Sequence, residues 1–171
     1  MSEYSLSQVY PTDKHTLAEI DALLEKESIR RDGNLDYICA MFDENYHVIG
    51  TGSCFGNTLR CFAVSSDHQG EGLLNQIITH LIEVQCARGN LHLFLYTKIK
   101  SAKFFGDLGF YEIARVEDTL VFMENRRDGF SSYLRDLEKT KTEGKSAALV
   151  MNANPFTLGH QYLVETAAAA C

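Results

Sequence analysis

No apolar run in this 171-residue chain reaches the ~18–20 residues that a membrane span needs. The opening residues Met1-Ser2-Glu3-Tyr4-Ser5 carry neither a basic stretch nor an apolar h-region, so no signal peptide is expected. There is no C-x-x-C pair. The five cysteines, Cys39, Cys54, Cys61, Cys86 and Cys171, are odd in number and lie in apolar segments. They read as buried thiols of a reduced, cytoplasmic chain, not as a disulfide or zinc framework. The six histidines include no H-x-x-x-H pair, so no metal site is expected. Basic charge is in short supply as well. A net charge of -7 opposes general nucleic-acid affinity, which needs clustered Lys and Arg. What is present is 45% hydrophobic and 23% charged residues, enough to bury a core and to exclude disorder over most of the chain. The length suits one average domain or slightly more.

The hydrophobic periodicity predicts a mixed α/β domain. Tyr4–Tyr10 reads as a first strand. Asp13 can cap a helix from Lys14 to about Ile29, with Leu17, Ile20, Leu23 and Leu24 at helical spacing. Asp36–Phe42, His47–Phe55 and Leu59–Val64 then form a meander, with turns at Asp43-Glu44-Asn45 and Gly56-Asn57. Gln69-Gly70-Glu71-Gly72 opens a helix through about Arg88, ended by Gly89-Asn90. Leu91–Thr97 is nearly continuous apolar, the pattern of a strand covered on both faces. A helix from Ser101 to Leu108, stopped by Gly109, precedes a hairpin of Phe110–Val116 and Thr119–Glu124.

This gives a first domain over residues 1–124. Residues 125–145 read as a charged linker: about half of Glu124–Lys145 is ionisable, with an amphipathic helix over Ser131–Lys141. Residues 146–171 read as the start of another domain: a buried strand Ala147–Met151, a loop Asn152–Phe156, and a helix from Thr157 to Cys171. A lone strand–loop–helix cannot bury both faces of its strand, so the expectation is the front part of a longer protein.

Two segments carry chemistry. In the first, Val64 to Leu74 runs strand, loop, helix. Gly70 and Gly72 let backbone approach a ligand, and the unpaired amides of the helix's first turn favour an anion such as a pyrophosphate. In the second, Ala147–His160, Pro155 fixes the loop and Gly159 removes a side chain. His160 then projects from a first helical turn, where it can donate to phosphate oxygens as charge builds at an α-phosphorus.

The strand order and the first segment resemble the GNAT acyltransferases, whose signature is Gln/Arg-x-x-Gly-x-Gly/Ala. Gln69 and Gly72 match, and Leu74 departs from the final Gly/Ala. Ala102 to Phe110 is similar to a second family segment, A-x-x-F-Y-x-x-x-G-F. The resemblance implies a pantetheine arm between the strands ending near Val64 and Thr97, with its pyrophosphate on the amides of residues 69–74. Val64, Gln69, Gly70, Gly72, Leu73 and Leu74 are then the arm-binding set. Many family members carry a Tyr where Phe105 stands, and a phenyl ring has no proton to give a leaving thiolate.

The second segment resembles the H/T-x-G-H signature of the nucleotidyltransferases through Thr157 and His160. The resemblance implies nucleotide binding by Asn152, Asn154, Thr157, Gly159 and His160, with His160 catalytic. It implies a truncated Rossmann-like βα unit, because a downstream Ser/Thr-x-x-Arg-like motif is not in this sequence. The two halves together, with the stretch Met151–Val164, resemble the citrate lyase ligases. That family implies ATP with Mg2+, acetate, and the CoA-like prosthetic group of the citrate lyase acyl carrier subunit as cofactors and partners. The reaction it implies is thiol acetylation through acetyl-AMP. Two other readings stay open: a GNAT acyltransferase acting with acetyl-CoA on an amine, and a non-catalytic module that binds a CoA arm.

Overall fold

The computed structural model describes residues 4–141 and 143–170. The chain divides between Phe130 and Ser131 into two units, each described by itself. Cys171, at the end of the expected last helix, and Thr142, in the expected linker, lie outside the described residues.

The first unit is a seven-stranded sheet in the order β1-β2-β3-β4-β5-β7-β6. Its strands are β1 (Ser5–Gln8), β2 (Tyr37–Phe42), β3 (Val48–Phe55), β4 (Thr58–Val64), β5 (Phe94–Thr97), β6 (Tyr111–Val116) and β7 (Leu120–Glu124). The first four form the expected antiparallel meander. Helix α2 (Leu73–Ala87) carries the chain over to β5, which pairs parallel with β4. The hairpin β6–β7 folds back so that β7 lies beside β5.

Helix α1 (Lys14–Lys26) starts where Asp13 Oδ1 accepts the Thr16 amide at 3.1 Å. It ends three residues before Ile29, as Ser28 takes a positive φ of 55°. Its stripe of Leu17, Ile20, Leu23 and Leu24 is buried with Ile38, Ala40 and Ala63 on one face of the sheet. Each such side chain contributes roughly 1.5–3 kcal/mol by leaving water. Helix α2 buries Leu73, Ile77, Ile78 and Leu81 on the other face, with Phe105 of α3 (Ile99–Asp107) in the same cluster.

Helix α2 lies close to β3 because β3 carries Gly50 and Gly52 where the two approach. A Cβ at Gly52 would stand 2.6 Å from Ile77 Cγ2 and 2.9 Å from Leu81 Cδ1. No helix among the described residues is long and apolar enough to cross a membrane.

Several expectations are corrected. Strand β5 is shorter than Leu91–Thr97 and is not covered on both faces: Tyr96 is 50% exposed. Its nearly unbroken apolar run reflects a strand that loses its neighbour part-way, as shown below. The third helix begins at Ile99, not Ser101. Helix α4 (Gly129–Glu138) begins two residues ahead of Ser131. The Phe130 amide donates to both carboxylate oxygens of Glu124, at 2.8 and 3.1 Å, and an anion at that position favours a helix start. His92 Nε2 lies 2.5 Å from the same buried carboxylate.

In the second unit, Ala147–Met151 forms no strand. Leu149 and Val150 are exposed, and with no neighbouring strand to form a ladder the segment leaves its backbone groups to water. Helix α5 (Leu158–Ala169) does form, with no buried residue.

Substituting Gly52→Val puts branched carbon where Ile77 and Leu81 already sit. It is expected to lower unfolding free energy by about 1–3 kcal/mol, read from urea denaturation. An unchanged midpoint would mean that α2 does not depend on this close approach.

Candidate functional site

Strands β4 and β5 pair only at Thr58–Phe94 and Leu59–Leu95. Beyond that point they part. Strand β4 stays with β3, where Thr51 pairs Ala63 and Gly50 pairs Val64. Strand β5 stays with β7, where Tyr96 pairs Phe122 and Thr97 pairs Val121. The inner edges of both strands are thereby left without a strand partner. A ladder irregularity between Thr51 and Ser53 and a φ of 53° at Cys61 lie at the point of divergence.

The gap opens into a cavity of about 910 Å³. All six arm-binding residues expected from sequence, Val64, Gln69, Gly70, Gly72, Leu73 and Leu74, line it. Gly70 has φ 89° and Gly72 φ 76°, conformations that L side chains rarely adopt, and open space stands where each Cβ would be. Gly72 is the N-cap of α2 and supplies no side-chain cap, so the first helical amides meet no side-chain acceptor there. Across the cavity, α3 starts from Lys98, again with no side-chain cap. Two uncapped helix N-termini therefore border one space. That arrangement attracts an anion without any need for a basic cluster.

Beside Gly70, Tyr4 Oη donates to Glu71, and His68 Nδ1 lies 3.5 Å from the same carboxylate. The Tyr4 hydrogen bond, first, and then that of His68 hold the Glu71 carboxyl below its usual range. These contacts tie β1's start to the loop that presents the glycines.

The structure adds lining residues that sequence reasoning missed: Arg60, Tyr96, Lys98, Lys100, Ser101 and Phe104. The Lys-Ile-Lys-Ser-Ala-Lys run after β5 was the visible signal. Lys98 Nζ donates to the Glu27 carbonyl at the end of α1. Arg60 pairs with Asp32 at 2.9 Å. Phe105 also lines the cavity but is buried, packed 5.5 Å from Phe62 and 6.3 Å from Phe110 between ring centres. Tyr111, the nearest tyrosine in sequence, is exposed at the start of β6 and is not in the lining.

In the second unit the structure brings Thr157 and His160 together. His160 Nδ1 accepts the Thr157 amide at 3.0 Å, with Thr157 Oγ1 at 2.9 Å. An imidazole whose Nδ1 accepts an N–H carries its proton on Nε2 in the neutral form, so that Nε2–H is the donor. The ring lies 5.7 Å from Phe156. Asn152, Asn154 and Gly159 are exposed, and among the described residues no hydrogen bond joins them to this pair. No group of three or more His, Cys, Asp or Glu among the described residues is placed to hold a metal.

The first unit has the GNAT fold. It matches ElaA from Escherichia coli with a TM-score of 0.60, 13% identity and coverage of 74% of this chain and all of that one. It matches a GNAT-family acetyltransferase from Staphylococcus aureus Mu50 with a TM-score of 0.59, 13% identity, 71% of this chain and 98% of that one. A third match is the E. coli GNAT N-acetyltransferase YhbS in complex with CoA, with a TM-score of 0.56, 17% identity, 75% of this chain and 84% of that one.

Sequence similarity is more specific than the fold. A [citrate [pro-3S]-lyase] ligase from Klebsiella pneumoniae is 38% identical over 160 residues, covering 93% of this chain and 46% of its own length. The one from E. coli K12 is 35% identical, over 96% of this chain and 47% of its own length. Residues 146–171 match the family model of the citrate lyase ligase C-terminal domain. The chain is related to the citrate lyase ligases. It spans about half the length of the curated relatives it matches.

Three of the thiols are held in their protonated, weakly nucleophilic form. Burial pushes Cys39 up to about 12 and Cys54 up to about 11, and it raises Cys61 as well. The expectation that all thiols are buried fails at Cys86, which is exposed on α2's outer face, and at Cys61, which is half-buried. Labelling with a disulfide reagent at neutral pH should therefore modify Cys86 ahead of Cys39, Cys54 and Cys61. Cys39 and Cys54 should react only in denaturant, read by peptide mass mapping; rapid native labelling of Cys39 would contradict this core.

Proposed function

We propose that this chain supplies the arm-binding domain and the first nucleotide-binding segment of a cytoplasmic, ATP-dependent, AMP-forming ligase. Its product is the acetylated thiol of the CoA-derived group on the citrate lyase acyl carrier subunit. What carries the reading is the joining, in one chain, of an arm-shaped cleft to 32–38% identity with citrate lyase ligases over more than nine-tenths of its length.

The first unit suits the arm. A pantetheine chain contains amides, and the unpaired inner edges of β4 and β5 offer backbone partners for them, as in strand addition. The open amides at Leu73 and Leu74, with Gly70 and Gly72 free of side chains, fit a pyrophosphate. The second unit suits a nucleotide, held by Thr157, Gly159 and His160 with Asn152 and Asn154 in the preceding loop. An Nε2–H on His160 would donate to a non-bridging oxygen as charge develops on the α-phosphate. Mg2+ accompanies ATP and neutralises its phosphates.

The chemistry divides into two steps. An acetate oxygen attacks the α-phosphorus of ATP, a new P–O bond forms, and pyrophosphate leaves. The arm's thiolate then attacks the acetyl carbonyl, a C–S bond forms, the acyl C–O bond breaks, and AMP leaves; the thiol proton goes to solvent. Adenylation is needed because a carboxylate oxygen is a poor leaving group and AMP a good one.

The other reading is direct acetyl transfer from acetyl-CoA to an amine. The GNAT fold favours it. A buried phenyl ring at Phe105 disfavours it, since no hydroxyl stands there to protonate the departing thiolate. Turnover of acetyl-CoA with a panel of amines would support transfer and count against the ligase.

Gly72→Glu sets a carboxylate against the expected pyrophosphate on a residue that is exposed and surrounded by open space. Titration calorimetry should show CoA affinity reduced at least ~100-fold, because like charges meet at an anion site. The melting temperature should fall by only a few degrees. Retained affinity would remove the arm site from this loop. His160→Ala, placed in a ligase of the relatives' full length that carries this segment, should slow pyrophosphate release by about 100–1,000-fold. An unchanged rate would end the role given to His160.

A further inference from the structure

A carrier-borne arm has two ends. The thiol must be free to accept the acetyl group, so the carrier protein is attached toward the other, anionic end. On the arm-binding reading above, that end lies on the α2 amides, and the carrier must come to rest beside the cavity mouth that α2 and α3 share. We propose that the exposed lysine face of α3, formed by Lys100 and Lys103, is the docking surface for an acidic face of that carrier.

The first argument is charge. The chain is acidic overall, at -7, yet Lys98, Lys100 and Lys103 fall in a stretch with no acidic residue between Phe94 and Gly106. Lys98 is committed to the Glu27 carbonyl. Lys100 and Lys103 are exposed, and neither is in an ion pair among the described residues.

The second argument is placement. Lys100 lines the cavity, and Lys103 follows one turn along α3 outside the lining, while Phe105 turns inward. Residues three apart on a helix share a face.

The third argument is local cost. Helix α3 has no acidic residue in its first turn and carries Lys100 there, where the helix dipole disfavours a cation. Two like charges at this spacing repel. Asp107, four residues beyond Lys103, offsets part of this at the far end of α3, and an acidic partner would offset the rest. Charge complementarity of this kind governs association and weakens with salt.

The test uses this chain with three probes: the arm-bearing citrate lyase acyl carrier subunit, the same subunit without its arm, and free CoA. Lys103→Glu should weaken arm-bearing carrier binding about tenfold at low salt, with the difference shrinking at high salt. Lys103→Arg should retain wild-type binding, and CoA affinity should change less than about twofold in both variants. The armless subunit should bind weakly, with the same sensitivity to Lys103→Glu. Carrier binding that ignores Lys103→Glu would overturn the docking surface. So would a fall in CoA affinity matching the fall for carrier, because the lysine would then serve the arm itself. The outcome for Gly72→Glu bears on the arm site alone, so a failure there is distinguishable from a failure here.

Discussion

The parting of β4 and β5 is the constraint on which the first unit's site depends. After two paired positions, each strand follows its outer neighbour and the inner edges separate. The irregular register between β3 and β4, with Cys61 at positive φ, bends β4 away while its ladder to β3 resumes at Ala63 and Val64. The backbone groups so exposed cannot be satisfied by the sheet, and unpaired groups need a partner. A ligand that carries amides would supply one.

The same parting sets the electrostatics. Because β4 leads into α2 and β5 leads into α3, both helices begin at the open end of the gap. Neither start has a side-chain cap. A capped start would compete with a ligand for the first amides; an uncapped one leaves them available. The acidic balance of the chain therefore does not prevent an anion from binding at this one place. The second unit uses a helix start differently. There Thr157 and His160 bond to each other, which fixes the imidazole's tautomer and its orientation.

Much of the fold was legible because its signals are local. Asp13 before a stripe of Leu17, Ile20, Leu23 and Leu24 defines α1, and the buried cluster confirms that face. Gly56-Asn57 joins β3 to β4 with Phe55 opposite Thr58, as a two-residue hairpin loop requires. The six residues expected to bind an arm form one short run, so a single strand–loop–helix pattern points to all of these cavity-lining positions. The misses share a cause. Ala147–Met151 has the composition of a buried strand, but composition cannot provide a neighbouring strand. Leu91–Thr97 looks doubly covered, but its exposed Tyr96 reports a neighbour that has moved away and a ring stacked on Phe122 at 4.5 Å. Helix α4 starts early because Glu124, on a different element, accepts the Phe130 amide.

The sequence by itself determined which segments are helix and which are strand in the first unit, because periodicity and capping act over a few residues. It also marked Gly70 and Gly72 as points of open backbone and placed His160 in the first turn of the last helix. Only the tertiary structure decided where β4 leaves β5, that Lys98 and Lys100 reach the cavity, and that Phe105 is held in the core beside it. Those facts depend on which ladder each strand follows and which helix packs on which face. Such choices are made between residues far apart in the chain, where no local pattern records them.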